Sequence, residues 1–341
     1  MRVLFVCSGN SRTFDIVPFI KEQGESLRKV GAQVDYFPVV GKGIMGYLKA
    51  GLRLRKFLKN NSYDLIHAHF TLSGWSAVIG AGKTPVVLSL MGSDAYGEYI
   101  GVNKIQLSSW LNIFLTYLIQ PFVTAIISKS ANIDQHVYLK HKSHIIPNGV
   151  NLKKFSPSPQ DYREELALDN SKQQVLFLGN KTNIRKNFPL AKKALDLLNL
   201  PEVELINPFP VAHDAIPKYL NSVHVLVVPS LMEGSPNVVK EAMACNCPIV
   251  ATDMGDVKWV MGETAGCYVS SFEPADVADK IRQALEFSEN MNRTKGEERL
   301  KELGLDSETI AQRVKAVYEE ALSRSVSAIY QPSVQLDHEL S

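Results

Sequence analysis

Short β-rich runs alternate with helical patterns along the chain, stop at a polar break, and then resume; no other feature limits the possible folds so strongly. In the first half the strand signals fall at residues 3–7, 34–37, 65–68, 86–90, 125–128 and 143–146, separated by helix-like segments that include 17–30 and 45–59. Apolar strands alternating with helices predict parallel βαβ units whose strands are buried. Pro147-Asn148-Gly149 interrupts the pattern, and the polar, proline-bearing stretch that follows to about Asp161 reads as a linker. The alternation restarts at 175–178, 203–206, 223–228, 249–252 and 266–269. Two α/β halves in tandem follow, 1–150 and 151–306, which suits a length of 341 residues. A strong helical pattern at 307–324 comes after the last strand signal, and the polar, aperiodic residues 325–341 read as a flexible tail.

Composition removes several function classes. A net charge of +2 argues against a chain dominated by nucleic-acid binding, and 45% hydrophobic residues supports well-packed cores. The four cysteines, Cys7, Cys245, Cys247 and Cys267, are expected to be reduced thiols in a cytoplasmic setting, and Cys245 and Cys247, with one residue between them, lack zinc-site spacing. The apolar run at the start is too short for a signal-peptide core. Residues 107–127 are the most membrane-like, but Ser108, Ser109, Asn112, Gln120 and Pro121 interrupt them, and they read as a buried helix followed by a strand. In 42–59, Lys42, Lys49, Arg53, Arg55, Lys56 and Lys59 are interleaved with Ile44, Met45, Tyr47, Leu48, Leu52, Leu54 and Leu58. That helix either lies on anionic lipid or is a surface helix packed on its sheet.

The chemistry concentrates in 225–244. A buried strand ends at Pro229-Ser230, a short loop carries Glu233 and Gly234, and a helix starts near Pro236 and stops near Asn246. A helix N-terminus at the C-terminal end of a strand is a site for phosphate-like anions. Two carboxylates beside such a site would repel the anion unless they accept hydrogen bonds from neutral hydroxyls, as a sugar and a ribose supply. Spacing alone leaves open that Glu233 is an ordinary loop residue and Glu241 an exposed helix residue.

Glu233 and Glu241, with seven residues between them, followed by Ala242-Met243-Ala244 and Pro248 to Asp253, resemble the donor-site signature of the group 1 (family 4) glycosyltransferases. Ile146 to Asn151 with Phe155 and Pro157 resembles that family's interdomain linker, and Ile216 to Ser230 the helix and strand leading to its active site. Asp64 to His69 and Gly92-Ser93-Asp94 resemble N-terminal landmarks. The matches span most of residues 1–270 in the family's order. The resemblance implies a GT-B fold, two Rossmann-like domains facing across a cleft, with the C-terminal helix returning to the N-terminal domain. It further implies a retaining hexosyltransferase that needs no metal and no cofactor beyond its nucleotide-sugar substrate. The donor would be a UDP- or GDP-sugar and the acceptor a glycan or lipid-linked hydroxyl, in cell-surface polysaccharide synthesis.

Carried onto this chain, Glu233 would hold donor-sugar hydroxyls and Glu241 the ribose, while Ser235 and the backbone at Asn237 and Val238 would meet the sugar or diphosphate. Lys186 matches the family's phosphate lysine. Asn180 stands where relatives have arginine, so that Lys181 or Arg185 would compensate for it. Gly9, after the first strand, would face the cleft and allow close approach. Two further positions depart from the pattern: Met91, where many relatives carry histidine, and Lys258, where an acid is common. The same resemblance leaves room for a GT-B sugar-nucleotide epimerase or a catalytically silent nucleotide-sugar-binding subunit.

Two other signals are weaker. Cys7 to Arg12 looks like a tyrosine-phosphatase phosphate loop, but four residues intervene where that chemistry needs five. His67 and His69 share a strand face, which could suit a metal or simply two hydrogen-bonded core imidazoles. No Asp-x-Asp triplet occurs, in keeping with a metal-free mechanism.

Overall fold

The computed structural model describes residues 1–11, 15–291 and 293–330. The first half contains β1 (Arg2–Ser8), α1 (Pro18–Lys29), β2 (Gln33–Val39), α2 (Gly43–Leu58), β3 (Leu65–His69), α3 (Thr71–Ala81), β4 (Val86–Leu90), α4 (Ser93–Tyr96), the hairpin β5 (Tyr99–Gly101) and β6 (Lys104–Ile105), α5 (Ser109–Ile119), β7 (Ala125–Ser128), α6 (Ala131–Asp134) and β8 (Ser143–Ile145). The second contains β9 (Gln173–Leu176), α7 (Phe188–Leu198), β10 (Val203–Ile206), α8 (Ile216–Ser222), β11 (Val225–Val228), α9 (Asn237–Ala244), β12 (Ile249–Thr252), α10 (Val257–Met261), β13 (Cys267–Ser270), α11 (Pro274–Met291), α12 (Gly296–Glu302) and α13 (Ser307–Tyr330).

Apart from β5 and β6, which pair antiparallel with each other, the strands form two parallel sheets, ordered β2-β1-β3-β4-β7-β8 and β10-β9-β11-β12-β13. Central strands such as β3, β4 and β11 are buried throughout, because helices cover both faces. Strand order reverses at β1/β3 in the first sheet and at β9/β11 in the second. An open parallel sheet has a crevice beyond the strand C-termini at such a reversal. The loops after β9 and β11 therefore meet in one crevice, and these carry Lys186 and Glu233.

Backbone links fasten the final helix to the first half. Val150 N–H donates to Leu305 O (2.9 Å) and Ser307 N–H to Val150 O (2.9 Å), where the chain crosses back. Along α13, Tyr318 is buried and its hydroxyl lies 2.6 Å from His67 Nδ1, while Lys315 Nζ donates to Val30 O at 3.1 Å. The helix continues to Tyr330, past the expected end at 324. The rest of the expected tail, 331–341, lies outside the described residues, as does Arg12 of the phosphatase-like loop.

The expectation of a buried helix within 107–127 is corrected. Helix α5 is inverted: its buried positions include Ser109 and Thr116, whereas Leu107 is 83%, Trp110 58% and Phe114 60% exposed. The reason is polar. Thr116 Oγ1 donates to Asp94 O (2.6 Å), and Ser109 Oγ accepts from Glu98 N–H (3.0 Å), so satisfying these groups turns the apolar stripe outward. Helix α2 also shows apolar side chains to solvent, Met45 at 64% and Leu52 at 62%, because Ala50, Gly51 and Leu54 make its inner face against α3. No helix among the described residues is long and apolar enough to cross a membrane.

Candidate active site

A cavity of about 450 Å³ opens between the two sheets and brings together Lys129, Arg185, Lys186, His213, Glu233, Gly234, Ser235, Asn237, Val238 and Glu241, with Met91 on the opposite wall. Its centre is an ion cluster. Lys186 Nζ donates to Glu233 Oε1 at 2.6 Å, and Arg185 Nη1 to Oε2 at 2.7 Å. Burial pushes the Glu233 pKa up, but the fields of Lys186 and Arg185 outweigh that and hold it below its ordinary value. The carboxylate is charged, nearly dry and aimed into the cavity.

Helix α9 begins at Asn237 with no side-chain cap, so its first N–H groups remain open to a ligand at the cavity wall. Asn237 Oδ1 accepts from Asn148 Nδ2 (3.1 Å), which ties the helix start to the linker. Ser235 Oγ donates to Asp256 Oδ2 (2.6 Å) and accepts from Lys240 Nζ (2.5 Å), a buried triad that fixes the loop. Asn246 takes the left-handed conformation just beyond the helix, as its residue type permits.

The loop carrying Glu233 is clamped by the other half of the molecule. Tyr96 Oη donates to Glu233 O at 2.5 Å. Asp94 Oδ1 accepts from the N–H groups of Met91 (3.0 Å) and Gly92 (2.9 Å), and freezes the turn that presents Met91 O to Gly234. Burial raises the Asp94 pKa, and those backbone hydrogen bonds pull it partly back. Gly92 has φ +127°, a conformation that favours glycine, and a Cβ there would crowd Tyr96 Oη at 2.9 Å and Gly234 Cα at 3.2 Å.

Sequence reasoning missed His213. Its Nε2 lies 3.1 Å from Glu241 Oε1, and its Nδ1 lies 2.7 Å from Lys154 Nζ. With Lys154 donating to Nδ1, Nε2 carries the proton that Glu241 accepts; this hydrogen bond draws the His213 pKa above 6.5 against burial. The available signal was its place in a proline-bearing loop after a strand end. Replacing His213 with alanine should free Glu241 and weaken nucleoside diphosphate binding about tenfold, the scale of a hydrogen bond to a charged group. Isothermal titration checks this, and unchanged affinity would count against it.

Other expected residues lie elsewhere. Lys181 is exposed, with Nζ 4.9 Å from the Phe188 ring centre, and does not reach the cavity; Arg185 occupies the place beside Lys186. Asn180 Oδ1 caps its own turn by accepting from Thr182 N–H at 2.9 Å. Gly9 is absent from the cavity wall; a Cβ on it would come 2.8 Å from Pro38 Cβ, which gives the glycine a packing reason.

The phosphatase-like reading fails on chemistry: burial pushes the Cys7 thiol up to about 12, the opposite of a thiolate nucleophile. His67 and His69 are core imidazoles. His67 Nε2 is 2.7 Å from Ser89 Oγ, His69 Nε2 is 2.9 Å from Gln23 Oε1, and burial lowers both pKa values well below 6.5. Among the described residues no three His, Cys, Asp or Glu side chains gather as a metal site.

Two sheets facing across a cleft, with a helix N-terminus and a cation–carboxylate cluster at their switch point, define a GT-B enzyme. Residues 1–154 match the family described as Glycosyltransferase Family 4, and residues 167–286 match Glycosyl transferases group 1. The chain belongs to the group 1 glycosyltransferases and is a transferase enzyme. It is 25% identical over 221 residues to a putative teichuronic acid biosynthesis glycosyltransferase, TuaC, of Bacillus subtilis, a match covering 59% of this chain and 56% of that protein. It is 25% identical over 284 residues to an Escherichia coli UDP-Gal:alpha-D-GlcNAc-diphosphoundecaprenol alpha-1,3-galactosyltransferase, covering 71% of this chain and 72% of the relative. Among solved structures, sucrose-phosphate synthase from Thermosynechococcus elongatus superposes with a TM-score of 0.76 at 17% identity, over 95% of this chain and 99% of that one. HepE of Anabaena in complex with UDP gives 0.70 at 15% identity, over 94% and 100%. At these identities the superpositions establish the GT-B fold.

Proposed function

We propose that this enzyme transfers a hexose-type sugar, with retention of configuration, from a UDP- or GDP-sugar to a glycan or lipid-linked hydroxyl in polysaccharide or glycolipid synthesis. The observation that carries the reading is Glu233 held by Lys186 and Arg185 beside the open start of α9. In the donor complex the diphosphate takes over the two cations and the α9 N–H groups, which supply the positive charge a metal would otherwise bring. Glu233 then turns to the sugar hydroxyls, and Glu241, steadied by His213, takes the ribose. As the C1–O bond to the β-phosphate breaks, the departing phosphate oxygen accepts the proton of the acceptor hydroxyl. The acceptor oxygen forms the new C1–O bond on the same face. HepE binds UDP, and this supports a uridine nucleotide as the first donor to test.

Thermal shift with UDP, GDP, ADP and inorganic phosphate, in EDTA, tests the donor site. Ligand at about a hundredfold its dissociation constant adds about 2.7 kcal/mol, a rise of several degrees. We expect that rise with one nucleoside diphosphate; folded protein that responds to none of them would sink the assignment.

A membrane-borne acceptor is supported by the side-by-side packing of α2, α3 and α5. Ser76 Oγ donates to Tyr47 O at 2.7 Å, and Trp75 Nε1 to Leu115 O at 3.2 Å, so α3 lies between the other two. The outward surface thus joins Met45 and Leu52, interleaved with Lys49, Arg53 and Lys56, to Trp110 and Phe114. Aromatic anchors with cations suit an anionic lipid surface. The protein should sediment with phosphatidylglycerol-containing vesicles, and the Trp110→Ser/Phe114→Ser double variant should stay in the supernatant. Wild-type protein left in the supernatant would refute membrane docking while leaving the donor site untouched.

A further inference from the structure

Lys129 is the first residue beyond β7, at the C-terminal edge of the first sheet, and its side chain is 1% exposed. Its Nζ is buried and has no hydrogen-bond partner among the described residues. Three acids line the same cavity, Glu98, Glu233 and Glu241; Glu233 is held by Lys186 and Arg185 and Glu241 by His213, and none of the three accepts from Lys129. Burial, and then the field of Lys240, push the Lys129 pKa down to about 7. A buried ammonium with no acceptor is costly, and nothing in the fold offsets that cost. Yet the side chain lines the Glu233 cavity, on the wall formed by the first half, together with Met91 and Ser93 and across from Gly234 and Ser235. The diphosphate already has Arg185, Lys186 and the start of α9. Lys129 belongs to the other sheet and so serves a different part of the reacting pair.

We infer that Lys129 binds an anionic group, a carboxylate or a phosphate, carried by a substrate at the first-half wall of the cleft and separate from the donor diphosphate. This rests on the donor-site reading above. The anion has two possible sources: a uronate carboxylate on the donor sugar, or an acidic group on the acceptor. Either would complete the hydrogen bonding of Nζ and offset its burial. A neutral sugar hydroxyl accepts a hydrogen bond from Nζ but leaves its charge uncompensated.

The test uses wild type, Lys129→Met and Lys129→Arg in three titrations. The first is with UDP and GDP alone; here Lys129→Met should match wild type within about twofold, since the diphosphate site is intact. The second compares the glucuronate and glucose conjugates of the nucleotide that binds. The third adds inorganic phosphate, glucuronate or glucose to protein saturated with the free nucleotide. Wild type should prefer the anionic probe over its neutral counterpart by about tenfold or more, the scale of a charge-assisted contact. A preference in the second titration places the anion on the donor; one in the third places it on the acceptor. Lys129→Met should abolish the preference and Lys129→Arg keep part of it. Without ligand, Lys129→Met should melt no lower than wild type, because it removes a charge with no partner. The inference is overturned if wild type shows no preference for anionic probes in either titration, if Lys129→Met melts lower, or if it loses nucleotide affinity tenfold. That last result would assign Lys129 to the diphosphate. Failure of every protein to bind either nucleotide would overturn the donor-site reading and this inference with it.

Discussion

Glu233→Gln should lower kcat/KM for sugar transfer by about 10²–10³-fold, the loss seen when a preorganised electrostatic contact to the reacting group is removed. Binding of the free nucleoside diphosphate should hold or improve. The carboxylate now occupies both Lys186 (2.6 Å) and Arg185 (2.7 Å), and a neutral amide would release them to the diphosphate. Lys186→Ala should behave oppositely, losing nucleotide affinity as well as rate, because the leaving phosphate then lacks its nearest cation. Steady-state kinetics with titration of the free nucleotide separates the two patterns. A Gln variant with near-wild-type turnover would remove Glu233 from the sugar site, and equal losses of affinity in both variants would contradict the proposed handover of the cations.

Gly234→Ala carries the other large effect. A Cβ on Gly234 would lie 2.1 Å from Met91 O and 2.9 Å from Ile133 Cδ1, distances that no side-chain rotation relieves because the first contact is backbone. Gly255 closes the other side, where a Cβ would lie 2.5 Å from Gly234 O. The loop must therefore shift or the halves must part, and either outcome moves Glu233. A displacement on the order of 1 Å at a reacting centre costs about a hundredfold in rate. We expect that loss in kcat/KM with intact nucleotide binding by Lys186 and the α9 start, and with a modest fall in melting temperature, since the clash lies between the halves and not within either core. Wild-type kinetics in this variant would show that the contact with Met91 is not part of the working enzyme.

The sheets were legible because buried parallel strands announce themselves locally. A run such as Val225–Val228 is apolar on both faces in any context, and the signals at 86–90, 125–128, 203–206 and 249–252 coincide with the strands found. The core of the site was legible for a related reason: Glu233, Glu241 and Lys186 sit at set spacings within single loop–helix units, and the resemblance to a family rests on those spacings. Lys181 and Arg185 are both basic residues of one loop, and only the turn built by Asn180 and Asn183 decides which of them faces Glu233.

The sequence by itself determined the two α/β halves, the strands and the residues that could carry the chemistry, because these follow from patterns within a few dozen residues. Tertiary structure alone decided the outward face of α5, the pairing of His213 with Glu241, the clamp of Met91 on Gly234, and the isolation of Lys129. Each of these depends on which groups meet between separate elements once they are packed, some within one half and some across the cleft. Satisfying such buried groups is a condition on the assembled molecule that no local pattern encodes.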